Sequence, residues 1–187
     1  MGSEMCIRDR SYKDKTFYVT EKLDGTSFTA IFDSELAVCG RNWQLAADDS
    51  NSLWQIANRY ELAQRMKALG RRIAIQGELV GPGIQGNRYK LKQTELFVFN
   101  VFDLEAFAYV EKEEAASICE QLDLQTVPFI EQRSVPETID EILQIAEGKS
   151  VLNSATEREG LVWVSGSGPD RISFKTISNK FLSRGGE

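Results

Sequence analysis

Lys22 is the residue of this chain best disposed for covalent chemistry. It sits in Glu21-Lys22-Leu23-Asp24-Gly25-Thr26, between two segments that read as strands. A lysine at a strand end beside a tight turn is well presented to a substrate. Free lysine titrates at about pH 10.4, so little of it is neutral at physiological pH. A nucleophilic lysine therefore needs burial or a nearby cation to lower its pKa. The Lys-x-Asp-Gly tetrapeptide alone is a weak signal and reads equally well as an exposed hairpin turn. The chain contains no histidine. That removes Ser-His-Asp and Cys-His nucleophile systems, histidine bases and the common zinc sites. Chemistry here must draw on lysine, carboxylates, arginine and hydroxyls, with or without a hard metal.

The elements that position Lys22 follow from apolar periodicity. Residues 17–21 and 27–32 read as strands around the Asp24-Gly25 turn, where glycine would supply positive φ. Residues 36–40 form a third strand ending at Arg41-Asn42. Ser50-Asn51-Ser52 offers N-cap chemistry. Leu53, Trp54, Ile56, Ala57, Tyr60, Ala63 and Met66 then recur at helical spacing, which predicts one helix over 52–69 stopped by Gly70. Residues 72–80 read as a strand, broken by Gly81-Pro82-Gly83, with a loop to Tyr89. Strands follow at 96–104 and 107–110, then a helix over 112–122 and a short strand at 126–130. A capping box from Ser134 and Glu137, or from Thr138 and Glu141, starts a third helix running to Ala146. Residues 148–155 read as a linker. Residues 160–164 and 171–175 form a hairpin around 166–169. Strands outnumber helices and adjoin in sequence, so the fold class is α+β with antiparallel sheets.

Composition sets wider bounds. The 187 residues fit one domain, and 42% hydrophobic with 27% charged content is ordinary for a globular protein. The net charge of −6 excludes a globally basic nucleic-acid binder but not a local basic groove. Cys6, Cys39 and Cys119 have no metal or redox spacing, which points to a reducing, cytoplasmic setting. No apolar run approaches a membrane span. Residues 1–10, MGSEMCIRDR, show no periodicity and resemble translated sequencing-adapter read-through. Residues 1–11 are therefore expected to be a non-native or disordered leader, and 12–187 the folded domain.

Read singly, the other polar residues are ordinary. Glu78 and Glu159 would be surface carboxylates. Phe102, alternating with Asn100, would be a core residue of its strand. Arg41 would cap a turn, and Lys175 would be a strand-edge charge. Trp43, Trp54 and Trp163 read as packing residues. The basic cluster at 65–72 reads as a solvated helix face.

Their order in the chain says more. Lys22-Leu23-Asp24-Gly25 resembles the first motif of the covalent nucleotidyltransferases, which include DNA ligases, RNA ligases and capping enzymes. Gln76-Gly77-Glu78-Leu79-Val80-Gly81 is similar to their third motif, and Phe99-Asn100-Val101-Phe102-Asp103 to the aromatic strand that follows. Glu159-Gly160-Leu161-Val162 is similar to the fourth. Ser173-Phe174-Lys175 with Asn179-Lys180-Phe181 is similar to the fifth. Arg41-Asn42, the Gly81-Pro82-Gly83-Ile84-Gln85 continuation and the Ser178-Asn179-Lys180-Phe181 ending resemble the ATP-dependent, nick-sealing RNA ligases.

That resemblance implies the ligase/capping-enzyme nucleotidyltransferase fold, ATP-grasp-like, with ATP in a cleft between antiparallel sheets. It implies that Lys22 attacks the α-phosphate of ATP and carries AMP. Phe102 would stack on adenine, and Glu78 would accept a ribose hydroxyl. Arg41 would reach the sugar or the RNA phosphate. Glu159 would help place Mg²⁺ or Mn²⁺. Lys175 would neutralise charge near the α-phosphate and lower the Lys22 pKa. Glu21 would help recognise the adenine edge, with Leu23 and Lys180 also at the nucleotide. The implied partner is RNA with 5′-phosphate and 3′-hydroxyl ends, as a nicked duplex, in RNA repair by a monomer. A DNA ligase, a GTP-using capping-type enzyme and a non-sealing nucleotide- or RNA-binding module are the competing readings. Two departures stand out. Ile177 occupies the place where many members carry a second lysine. The resemblance also implies an accessory RNA-gripping module, for which no segment of this sequence is long enough, so the chain is expected to be a catalytic core cut from a larger protein.

Overall fold

The computed structural model describes residue 12 and residues 14–184. The expected leader, residues 1–11, lies outside the described residues. The chain divides into two compact units. The first takes the residues up to Leu23, Pro128–Gly166 and the residues from Asp170 onward. The second takes Asp24–Val127 and Ser167–Pro169. The fold is α+β as expected. Among the described residues no helix is long and apolar enough to cross a membrane.

The first unit is built on a four-stranded antiparallel sheet. Its strands are β1 (Thr16–Lys22), β9 (Phe129–Ser134), β10 (Gly160–Ser165) and β11 (Ile172–Ile177). Their order is β11-β10-β1-β9. Side chains alternate between faces along each strand, and directly opposed residues share a face. Phe17, Val19, Leu161, Trp163 and Phe174 thus turn to one side, where they pack with Ile142 of helix α4 (Ile139–Ala146). Trp163 stacks on Phe174 at 5.5 Å and donates from Nε1 to Thr176 Oγ1 at 3.0 Å, so its one polar atom is satisfied inside the core. The Thr138–Glu141 capping box opens α4. Ser134, the alternative box residue, pairs instead with Thr16 in the sheet. Helix α5 (Asn179–Arg184) ends the described chain.

The second unit carries a sheet ordered β4-β3-β2-β5-β6-β7, with β8 pairing parallel to β6. These strands are β2 (Thr26–Phe32), β3 (Leu36–Cys39), β4 (Gln44–Leu45), β5 (Ile73–Val80), β6 (Glu95–Asp103), β7 (Ala108–Tyr109) and β8 (Gln125–Thr126). Phe28, Ala30, Ile73, Ile75, Leu79, Leu96, Val98 and Val101 form one buried face. Helices α1 (Ser52–Arg59), α2 (Leu62–Leu69) and α3 (Lys112–Gln121) cover it.

Two elements depart from the sequence reading. The helix expected over 52–69 is two helices, because Glu61 adopts a left-handed conformation with φ 52°. The break shifts the helical phase, so Leu62 is buried and Ala63 is exposed. Tyr60 anchors the break by donating its hydroxyl to Glu95. The strand expected at 126–130 is divided between β8 and β9, which belong to different sheets.

Candidate active site

In the first unit, β1 ends at Lys22, opposite Gly160, and Gly160 in turn opposes Ile177. Two residues back along the ladder, Thr20 opposes Val162 and Val162 opposes Lys175. Lys22 and Lys175 therefore share the face opposite the Trp163 core. Lys22 Nζ donates to Glu159 Oε1, and both side chains are largely shielded, at 22% and 13% exposure. Lys175 is exposed on edge strand β11.

The backbone around Glu159 is held from two sides. Ser178 donates its N–H to the Glu159 carbonyl at 2.9 Å and caps α5 through its hydroxyl to Phe181 N–H at 3.3 Å. Arg158 is turned inward, donating to the Ile145, Ala146 and Glu147 carbonyls at the end of α4 at 2.6–3.0 Å. This satisfies carbonyls that a helix end leaves open. Burial pushes the Arg158 guanidinium below its usual range.

Glu21 lies on the opposite face from Lys22. It is 1% exposed, and its Oε2 accepts from Val151 N–H at 2.8 Å. Its own N–H donates to the Pro128 carbonyl at 2.9 Å. Leu23 is buried as well. Lys180 stands exposed on α5 and pairs with Glu147 at 2.7 Å.

In the second unit, Glu78 and Phe102 come to one face of the sheet through a bulge. Gly77 opposes Val98 but Gln76 opposes Asn100, leaving Phe99 without an opposite residue. Val98 and Val101 consequently both face the core, and Phe97, Asn100 and Phe102 share the other side with Gln76 and Glu78. Phe102 is half-buried, with edge contacts from Phe107 at 5.4 Å and Tyr109 at 5.1 Å. It is not the core residue that its alternation suggests when read singly.

Asp103 ends this strand. Its Oδ1 accepts from the N–H groups of Glu105 and Ala106, and its Oδ2 pairs with Arg71 at 2.7 Å. The Ala106 N–H, then Arg71, hold its carboxyl below the usual carboxylate range. A depressed folded pKa contributes stability that is full above the unfolded value and is lost as pH falls through the folded one. Thermal melts are expected to show the parent losing more stability than Asp103→Asn on acidification below about pH 4. Equal losses would remove Asp103 as a contributor.

Arg41 is exposed in the turn between β3 and β4. Trp43, beside it, is 78% exposed and is not the packing residue expected: it closes the β3–β4 turn, where its carbonyl accepts from Gly40 N–H at 3.0 Å. Trp54 and Trp163 do pack in cores. The basic cluster at 65–72 is largely consumed in ion pairs: Arg65 with Glu61 and Asp123, Arg71 with Asp103 and Glu114, Arg72 with Asp33.

Two supports escaped the sequence reading. Asp24 is gripped by the β5–β6 loop: its N–H donates to Tyr89 Oη at 2.7 Å, and Arg88 pairs with its carboxylate at 3.0 Å. Gly25 is needed for close approach and not for positive φ, since it is absent from the positive-φ residues. A Cβ there would meet the Leu79 carbonyl, Val80 Cγ1 at 2.8 Å and Glu78 Cγ at 2.9 Å. Gly25→Ala is expected to destabilise the protein by about 1–3 kcal/mol in denaturant titrations, as overpacking does. A variant as stable as the parent would show that β2 can yield there.

Among the described residues, no cluster of three or more His, Cys, Asp or Glu side chains could cage a metal. Magnesium commonly binds through one or two carboxylates, substrate phosphates and retained waters. Glu159, 13% exposed beside Lys22, is a carboxylate of the kind such an ion takes.

The family model described as RNA ligase matches residues 15–177. Solved structures of an RNA ligase from Naegleria gruberi resemble the chain. An arginine-to-alanine variant with ATP and Mn has a TM-score of 0.89 and 35% identity, over 98% of this chain and 55% of that one. The enzyme with PPi has a TM-score of 0.86 and 36% identity, over 92% of this chain and 52% of that one. A glutamate-to-alanine variant with AMP and Mn gives the same figures. The chain spans about half the length of these ligases. No curated protein matches it in sequence. With the family model covering most of its length, from just before the Lys22 motif to Ile177, the chain belongs to the RNA ligase family.

Proposed function

We propose that this chain is the nucleotidyltransferase domain of an ATP-dependent RNA ligase, with Lys22 as the residue that carries AMP. The observation that carries the reading is the shielded Lys22–Glu159 pair on the same sheet face as Lys175. Lys22 Nζ forms a bond to the α-phosphorus of ATP as the bond to pyrophosphate breaks. Glu159 Oε1, which already accepts a hydrogen bond from that nitrogen, is a ready acceptor for its proton. Lys175 supplies positive charge on that face as charge builds on the phosphoryl oxygens. The AMP then passes to an RNA 5′-phosphate, and a 3′-hydroxyl displaces it to close a nick in a duplex. Such displacements depend mainly on positioning and charge neutralisation, which lysines supply without histidine.

The adenosine is recognised from the face that holds Glu78 and Phe102. Phe102 offers a ring for stacking, and Glu78 an acceptor for a ribose hydroxyl. Arg41, with its planar and permanent charge, contacts a sugar or an RNA phosphate. Glu21, Leu23 and Lys180 act on the nucleotide indirectly: Glu21 orders the 151 segment, Leu23 anchors the strand end, and Lys180 adds charge on α5. A divalent cation, Mg²⁺ or Mn²⁺, bound by Glu159 and the ATP phosphates would supply further charge neutralisation.

Intact-protein mass spectrometry after incubation with ATP and Mg²⁺ tests the reading. A gain of one AMP mapped to Lys22, followed by sealing of nicked duplex RNA, is the expected result. A gain from GTP but not ATP would replace it with a capping-type transferase. No gain from either would reduce the chain to a binding module.

A further inference from the structure

The bulge that turns Phe102 to the Glu78 face has its own fastener. Lys112 Nζ donates to the Phe99 carbonyl at 2.6 Å and to Asn100 Oδ1 at 3.2 Å. Asn100 Nδ2 donates onward to Gln76 Oε1 at 3.3 Å, on the neighbouring strand. The ammonium thus ties down the residue at which the β5–β6 register slips. A bulge disrupts its ladder locally, and a charged donor is a strong partner for the carbonyl exposed there. Without the extra residue, strict alternation would carry Phe102 to the core side and Val101 to the Glu78 side.

The position of Lys112 argues that helix formation is not its purpose. It is the first residue of α3, where the helix dipole disfavours a cation, and the next two residues, Glu113 and Glu114, have the favoured charge. The side chain is half-buried and reaches back to β6.

We infer that Lys112 is a positioning residue for the adenine ring: by locking the Phe99 bulge, it fixes the phase of Phe102 relative to Glu78. This rests on the ATP reading above. It makes Lys112 a determinant of base affinity that never touches the nucleotide.

The test compares the parent with Lys112→Met in ATP-dependent self-adenylylation, with tripolyphosphate as a competitor that lacks a base. Lys112→Met is expected to raise the KM for ATP about tenfold, in the range that loss of one base–aromatic stack produces. The kcat and the inhibition constant for tripolyphosphate should stay within about twofold. In a Phe102→Ala background, the same substitution should add almost nothing, because both changes remove one interaction. An unchanged KM with a lowered Tm would overturn the inference and leave Lys112 a stability residue. Equal losses for ATP and tripolyphosphate, or full additivity with Phe102→Ala, would overturn it too. If Lys112→Met does not fold, Lys112→Gln keeps a neutral donor for the carbonyl, and a KM rise of about threefold is expected; no rise overturns the inference. A parent that forms no AMP adduct sinks the ATP reading and this inference together, whereas an active parent with an indifferent Lys112→Met sinks this inference alone.

Discussion

A Lys22→Arg protein is expected to acquire no AMP under conditions in which the parent gains one AMP per chain. The substitution separates the charge of Lys22 from its nucleophilicity. Arginine keeps the positive charge, so an ion pair with Glu159 survives. Its guanidinium titrates above about pH 12 and is never a free amine in a folded protein. The nitrogen lone pair that must attack phosphorus is therefore lost while the electrostatics of the pair are kept. The thermal midpoint should move little and ATP should still bind, yet the adduct should fall below detection, at least about a thousandfold slower. Lys22→Ala is a poorer test, because it also takes the ammonium away from Glu159, a carboxylate only 13% exposed. An adduct on Lys22→Arg, or one mapped to another lysine in the parent, would end the proposal that Lys22 carries the nucleotide.

Legibility in the sequence tracked how local the cause was. The longer strands β1, β2, β5, β6, β10 and β11 were readable because burial on one face forces alternation: Phe17 and Val19 in β1, Phe28 and Ala30 in β2, Leu161 and Trp163 in β10 are all buried. The α4 cap was readable only as a choice of two, since Ser134 and Thr138 are equivalent until β1 claims the first. What escaped depends on partners distant in the chain. The kink at Glu61 reflects ties from Arg59 and Tyr60 to Thr94 and Glu95. The bulge at Phe99 depends on β5 and on Lys112. Among the candidate site residues, Lys22, Glu159 and Lys175 were singled out by motif; the sheet register gives the reason Lys22 and Lys175 share a face, whereas Glu159 stands just before β10 and is placed by its bond to Lys22. Glu21 illustrates the converse. Adjacent to Lys22 in sequence, it must face the other way in a strand, and there it orders the backbone at Val151.

Gly160→Ala is the second change expected to be severe, and the cause is geometric. Gly160 sits in the ladder between Lys22 and Ile177, next to Glu159. A Cβ at this position would collide with the Thr176 carbonyl and reach 3.0 Å from Ile177 Cα. Those are backbone atoms, which cannot rotate away as a side-chain tip can. Either β11 separates from β10 or the strand end carrying Glu159 tilts. The first displaces Lys175, whose place in the register is fixed by β10. The second disturbs the Ser178 N–H bond to the Glu159 carbonyl and the Glu159 contact with Lys22. Both routes would move a charged group of the proposed α-phosphate site by a fraction of an ångström or more. Misplacement of about 1 Å costs on the order of a hundredfold in rate when catalysis rests on positioning. Gly160→Ala is accordingly expected to slow self-adenylylation about a hundredfold and to destabilise the fold by about 1–3 kcal/mol, as overpacking does. Because the substitution touches neither Glu78 nor Phe102, the residues proposed to hold the adenosine, ATP affinity should change far less than the rate of adduct formation. Single-turnover adenylylation alongside equilibrium ATP binding separates the two. A rate near that of the parent, with the lowered stability present, would mean that the alignment of Lys22, Glu159 and Lys175 does not limit the chemistry.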